Sequence, residues 1–185
     1  MTCSATTLFL LLSIIACSPQ QSGKQKEKTT DTAESPATSY DFNQPSKVFT
    51  LDPALAEVSG IAFAADDTTH IYAQEDESGT LYEMRLSDQK LQKYTFGAAG
   101  DYEDIALSAK QSFILSSNGD LTSFDLKALK AGDSQHIQVL KSVLPKGEYE
   151  GLAFTADRTK LLVLCKECKV DKSQESVSLY ELALE

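Results

Sequence analysis

Glu57-Val58-Ser59-Gly60-Ile61-Ala62-Phe63 is written twice more in this chain, as Asp101-Tyr102-Glu103-Asp104-Ile105-Ala106-Leu107 and as Glu148-Tyr149-Glu150-Gly151-Leu152-Ala153-Phe154. The copies are offset by 44 and 47 residues. A period of that length, with a short apolar strand in each copy, is the signature of β-propeller blades. The text after each phrase agrees. In the first copy Ile61–Phe63 is followed by Ile71–Gln74, then Gly79–Leu86, then Leu91–Phe96. Tyr82, Met84 and Leu86 alternate with Glu83 and Arg85, the period-2 pattern of a strand with one buried face. In the second copy Phe113–Leu115 leads to Asn118-Gly119, a strong hairpin-turn signal, and Gly119–Leu126 aligns with Gly79–Leu86 without a gap. The third copy has Leu161–Leu164, a longer insert, and Val177–Leu182.

The expected fold is therefore all-β: a β-propeller of four-stranded antiparallel blades, about three blades present, forming a partial ring. Helical periodicity is lacking, apart from one turn near Leu126–Lys130. Ser46–Leu51 reads as a lone strand of the kind that finishes the last blade of a closed ring. Three units do not close a ring of four to eight blades. The chain accordingly reads as a truncated product, or as one that needs a partner over its open edge strands.

The chain divides into an address, a tether and a domain. Leu8–Ala16 is too short an apolar run to span a bilayer and has the length of a signal-peptide core. Ile14-Ile15-Ala16-Cys17 resembles the bacterial lipobox, which implies cleavage after residue 16 and acyl chains on Cys17. Met1–Thr7 departs from the usual pattern in having no Lys or Arg. Residues 17–46 are polar, with almost no large apolar side chain, and read as a lipidated cysteine followed by a disordered tether. Residues 47–185 are long enough to bury one core. The formal net charge of −10 argues against a nucleic-acid partner and favours cations and basic groups.

Several spaced motifs resemble the SdiA-regulated protein family. They are Ala56-Glu57-Val58-Ser59-Gly60-Ile61-Ala62, then Gln74-Glu75-Asp76-Glu77 with Gly79, Leu81 and Tyr82, then Gly100-Asp101-Tyr102-Glu103-Asp104-Ile105-Ala106. Leu144–Gly151 and Leu164-Cys165 with Cys168 look like the version found in lipoproteins of Bacteroidetes-type bacteria. The resemblance covers nearly all of 47–185. It implies a propeller, a bacterial cell-envelope location and no firmly assigned reaction, and this chain looks like the front half of a longer member.

In antiparallel blades, the loop entering the first strand and the loop joining strands two and three share one face. That face should collect Glu57, Asp101, Glu103, Asp104, Glu148 and Glu150 from the entering loops. The second loops should add Glu75, Asp76, Glu77, Asn118, Asp120 and the Cys165–Cys168 region. Ser59, Glu103 and Glu150 occupy equivalent positions, as do Gly60, Asp104 and Gly151. Candidate metal- or ligand-binding residues are Glu57, Asp76, Asp101, Glu103, Glu148 and Glu150. Clustered carboxylates repel one another unless a cation or proton intervenes, and calcium takes six to eight oxygens. The same acids can instead cap turns. Cys165 and Cys168 read first as a disulfide in an oxidising compartment, with a redox pair or a metal site as alternatives.

No nucleophile elbow and no phosphate-cradling glycine loop is present, so no catalytic residue is assigned. The leading functional expectation is a membrane-anchored binding module of the bacterial envelope, presenting an acidic propeller face to a small ligand or an envelope protein. The alternative is a calcium-dependent phosphoesterase or esterase-like hydrolase built on that face.

Overall fold

The computed structural model describes residues 44–65, 67–173 and 176–184. The signal run, Cys17 and the tether up to residue 43 lie outside the described residues. Ser46–Glu185 forms one compact unit. Among the described residues no helix is long and apolar enough to cross a membrane.

Three antiparallel sheets follow one another along the chain. The first, blade 1, holds β1 (Val58–Ala62), β2 (His70–Glu75), β3 (Thr80–Arg85) and β4 (Leu91–Thr95) in that spatial order. Blade 2 holds β5 (Tyr102–Ala106), β6 (Ser112–Ser116), β7 (Leu121–Phe124) and β8 (Gln138–Leu140). Blade 3 holds β9 (Gly147–Phe154), β10 (Lys160–Cys168) and β11 (Leu179–Ala183). The innermost strands stand side by side, β1 against β5 and β5 against β9. This is the β-propeller arrangement, an all-β fold of consecutive blades.

Two local expectations are corrected and one is met. Ser46–Leu51 forms no strand, and its Lys47 instead donates to the Leu86 carbonyl at 3.2 Å. The helical turn expected at Leu126–Lys130 is present as the short helix α1 (Leu126–Lys130), capped by the Asp125 carboxylate accepting from Ala128 N–H. Glu103, Asp104, Glu148 and Glu150 stand inside strands β5 and β9 and not in the loops before them. Extended backbone begins earlier there because Tyr102 and Tyr149 are themselves core residues.

Each sheet has a leading face, turned toward the preceding blade, and a trailing face, turned toward the next. Alternation along the strands separates them. Tyr72 and Leu81 on the trailing face of blade 1 pack against Tyr102, Ile105, Leu107 and Ile114 on the leading face of blade 2. Ala106, Phe113, Leu115 and Leu121 behind blade 2 pack in the same way against Tyr149, Leu152, Leu161 and Val163 of blade 3. Tyr102 and Tyr149 are equivalent plugs: each hydroxyl donates to the carbonyl four residues upstream, Ala98 at 2.9 Å and Pro145 at 2.7 Å. Gly119 has φ +86°, and a β carbon there would meet the Tyr149 ring at 2.8 Å. The Asn118-Gly119 turn thus serves both the hairpin and the next blade.

A polar clamp ties α1 to blade 1. Glu83 is buried on the trailing face, accepts from Tyr72 at 2.8 Å and from Tyr94 at 2.6 Å, and pairs with Lys130. Burial alone would raise the Glu83 carboxyl; the Lys130 ammonium and the two hydroxyls outweigh it and leave it below its usual range. Removing one partner of such a pair strands the other charge. Lys130→Met is expected to lower stability by about 1–3 kcal/mol, reduced from the fully buried case because the lysine reaches solvent. Adding Glu83→Leu should recover most of the loss, as read by urea unfolding.

Candidate functional site

The repeated phrase encodes a repeated distortion. In β1 the pairing with β2 jumps from Val58 to Gly60, leaving Ser59 as the extra residue. In β5 it jumps from Tyr102 to Asp104, leaving Glu103. In β9 it jumps from Tyr149 to Gly151, leaving Glu150. Each inner strand therefore carries a β-bulge at the same place in the repeat. Bulges re-aim a side chain and sharpen the local twist, and they gather next to functional sites. Here they take Glu103 and Glu150 out of strict alternation and present them on the same rim.

Equivalent backbone hydrogen bonds stitch that rim together. Asp76 N–H donates to Glu57 O at 3.2 Å, and Tyr102 N–H donates to Asp76 O at 2.9 Å. One blade further on, Ser117 N–H donates to Asp101 O at 2.9 Å and Tyr149 N–H donates to Ser117 O at 2.8 Å. The turn between strands two and three thus bonds both to its own blade and to the next. The expected sharing of one face by these two loop sets is the arrangement found.

The six acids then separate by environment. Glu57 and Asp76 are joined by Glu75, and one carboxylate oxygen from each lies within 4.8 Å of the others. Glu75 is buried and accepts the N–H groups of Glu77 at 3.1 Å and Ser78 at 2.7 Å, so it serves as a turn cap. Asp76 Oδ1 is buried with no hydrogen-bond partner among the described residues, and so is Ser78 Oγ. Asp101 accepts from the Ser117 hydroxyl. Glu148 and Glu150 share Lys166, which lies 3.7 Å from Glu148 and hydrogen-bonds to Glu150.

Glu103 sits among like charges. Desolvation raises its carboxyl above the usual range, and Asp101, Glu150 and Asp76 push it the same way while Lys166 opposes them. Lys166 is itself the extra residue of a bulge in β10, between Cys165 and Glu167. Cys165 and Cys168 are joined by a disulfide across that bulge and are fully buried. Asp171, beside them, accepts from Ser178 N–H at 3.0 Å and from Ser178 Oγ at 2.7 Å.

Asp104 stands one step inward and was not among the candidate site residues. Its Oδ2 accepts from Leu152 N–H of blade 3 at 2.7 Å, while Oδ1 accepts from Ile105 N–H at 2.8 Å. Burial raises its carboxyl and these two donors pull it back. A β carbon on Gly60 would sit 3.0 Å from Asp104 Oδ1, so glycine at that position admits the carboxylate. Asp104 therefore links the inner strands of all three blades. Gln74, the partner of Gly60 across β1 and β2, is fully enclosed, and neither amide atom has a partner among the described residues. The equivalent residue in blade 2 is Leu115, which marks position 74 as polar where the repeat is otherwise apolar.

Lysines the sequence does not place together also converge. Lys141, Lys146, Lys169 and Lys172 line a cleft of about 520 Å³ between blades 2 and 3, with Glu148 and Glu167 among them. The Glu57, Glu75 and Asp76 cluster belongs to blade 1, a full blade away.

No family profile matches this sequence, and no curated protein is similar to it. Among solved structures the chain is similar to a nidogen/laminin complex, with TM-score 0.49, 14% identity, and coverage of 68% of this chain and 44% of that one. It is also similar to the C-terminal WD40 domain of Sif2, with TM-score 0.45 and 13% identity over 69% of this chain and 34% of that one. A third is virginiamycin B lyase from Staphylococcus aureus, with TM-score 0.42 and 13% identity over 69% and 41%. The chain spans less than half the length of each of these structures.

The folded state raises the Glu103 carboxyl, so this group favours folding below the ordinary glutamate range and loses that contribution as pH rises through the raised value. Glu103→Gln should therefore raise the melting temperature at pH 7 by roughly 1–3 °C, with the gain vanishing at acid pH. Asp104→Ala strands the Leu152 N–H in a buried strand and should lower stability by about 1–3 kcal/mol in urea unfolding. Asp104→Asn keeps an acceptor and should cost less.

Proposed function

We propose that this chain is a lipid-anchored binding module of a bacterial cell envelope, whose acidic propeller rim receives a cationic group of a small ligand or envelope protein. The observation that carries the reading is Glu103, held on a bulge among Asp76, Asp101 and Glu150 with Lys166 as the opposing charge. A positive group placed there relieves repulsion that the fold otherwise sustains, so the site favours cations before any specific contact is counted. The lipobox-like Ile14-Ile15-Ala16-Cys17 and the resemblance to SdiA-regulated envelope lipoproteins support the anchor, the compartment and the absence of an assigned reaction. The propeller fold suits a binding or scaffold role in general.

A second reading rests on a different observation. Glu57, Glu75 and Asp76 each bring one carboxylate oxygen within 4.8 Å of the others, Asp76 Oδ1 is buried with no hydrogen-bond partner among the described residues, and carboxylate oxygens suit a hard cation such as calcium. Because Glu75 is committed to two backbone donors, an ion there would complete its shell with water. The hydrolase alternative has less behind it, since the lysine cleft and this carboxylate cluster stand in different blades.

Titration of the chain with a pentalysine peptide and, separately, with calcium chloride tests both readings. Pentalysine should bind with strong salt dependence and weaken about tenfold with Glu103→Gln plus Asp101→Asn. Calcium should raise the melting temperature of the wild type and not of Asp76→Asn. If neither probe acts beyond a sodium chloride control of equal ionic strength, the rim is not a cation-binding surface.

A further inference from the structure

The cleft between blades 2 and 3 is a basic island in a chain whose formal net charge is −10. Lys141, Lys146, Lys169 and Lys172 line it together with Asp120, Glu148 and Glu167. Each of those acids already has a partner. Asp120 Oδ1 accepts from Ser142 N–H at 3.2 Å, and its Oδ2 accepts from the Asn118 amide at 3.3 Å. Glu148 lies 3.7 Å from Lys166, and Glu167 lies 3.7 Å from Lys172. Lys141, Lys146 and Lys169 are left over: among the described residues none of them has a carboxylate within salt-bridge reach.

Two of these three lie directly opposite each other. Strand β9 pairs with β10 as far as Gly147 opposite Cys168, and the next residues are Lys146 and Lys169. Lys169 N–H donates to the Lys146 carbonyl at 3.3 Å, so the two strands stay bonded one step further. Like charges opposite one another across paired strands are destabilising. The backbone has little freedom to separate them, because the Cys165–Cys168 disulfide stands beside Lys169 and buried Leu144 and Tyr149 flank Lys146. Lys141 arrives from the loop before β9, which the bond from Ser142 to Asp120 holds against blade 2. Three unpaired ammonium groups in one concavity repel one another until an anion enters, and low-dielectric walls focus their field on that anion.

We propose that this cleft binds a small, multiply charged oxyanion of the phosphate type. Lysine ammonium groups are compact point charges with rotatable donors, which suits a tetrahedral oxyanion approached from several sides. A volume of about 520 Å³ is that of a small-molecule site. Among the described residues that line it there is no aromatic ring on which a base could stack. The rim beyond is acidic, with Glu103 held among Asp76, Asp101 and Glu150. An anionic membrane or a long polyanion laid over the cleft would meet those carboxylates, whereas a small anion confined within it does not. The cation-binding rim and this cleft are separate sites of opposite sign.

The test is calorimetric titration of the full chain, held in non-ionic detergent, with sodium pyrophosphate. Wild type should bind it more tightly than orthophosphate, and the affinity should fall as sodium chloride is raised. Lys146→Gln with Lys169→Gln should weaken pyrophosphate about tenfold or more. Both side chains are exposed, so this variant should keep the wild-type circular dichroism and a cooperative melt. Lys141→Gln reads the same site from the loop and should also weaken binding. Lys90→Gln with Lys110→Gln removes equal charge outside the cleft and should change affinity by less than about twofold. A wild type that takes up no pyrophosphate overturns the proposal. So does a loss shared equally by the two double variants, which would mean a response to net charge alone. Lysine-dependent binding to phosphatidylglycerol vesicles without binding to pyrophosphate overturns it too, and assigns these lysines to a lipid surface.

Discussion

The structure depends on one packing constraint, that the apolar back of each sheet is buried only when the next inner strand lies across it. A single four-stranded sheet of this length has two faces and too little core to cover both. Stacking blades solves the problem one face at a time. It also explains why the strongest conserved feature within the chain is the inner strand and not the outer ones. Tyr102 and Tyr149, with Ile105 and Leu152 beside them, must reach back into the preceding blade. Strands β4 and β8 touch fewer partners and share little text.

The same inner strands must do something else at their rim ends, and the bulge reconciles the two demands. A regular strand would alternate Glu103 and Glu150 strictly across its faces, setting carboxylates against an apolar neighbour. One extra residue per strand releases them to the rim and restores the inward register for Ile105 and Leu152. The displaced backbone then needs new partners. Leu152 N–H finds one in Asp104, a carboxylate from the adjacent blade, which is why the position after each bulge residue reads Gly, Asp, Gly. Two small residues flank the single acid that spans them.

Much of the fold was legible because strand periodicity and the Asn118-Gly119 turn are local signals. The repeat alignment found the equivalence of Ser59, Glu103 and Glu150, but not its cause. A bulge changes register by one residue against a partner strand, and nothing in the strand's own composition records which pairing is skipped. The same limit hid Lys166. In sequence it is the residue after a cysteine; in three dimensions it is the counter-charge of Glu148 and Glu150. The clamp of Glu83 with Tyr72, Tyr94 and Lys130 joins residues from three strands and a helix. Glu83 read as the solvent side of an alternating strand because both faces of β3 are covered, and alternation alone cannot reveal a second covered face. Blade 2's fourth strand was missed for a simpler reason: α1 and its following loop separate β8 from the hairpin that would have announced it.

The disulfide ties these threads together. Cys165 and Cys168 close the short loop that contains Lys166, and Gly147 lies so near that a β carbon there would sit 2.7 Å from both sulfurs. With Tyr149 packed on the same core, this end of β10 has little room to shift. A lysine on a free loop would sample many positions and screen the rim as a whole. Held here, its ammonium is assigned to Glu150 and Glu148, and the described salt bridges extend no such partner to Asp76, Asp101 or Glu103. The hydroxyl of Ser117 supplies Asp101 with a hydrogen bond but no charge. Fixing this cation beside Glu150 and Glu148 therefore concentrates the uncompensated negative potential around Glu103. An electrostatic imbalance of this kind is built by covalent and packing constraints at its border, and its sign sets what the rim can accept.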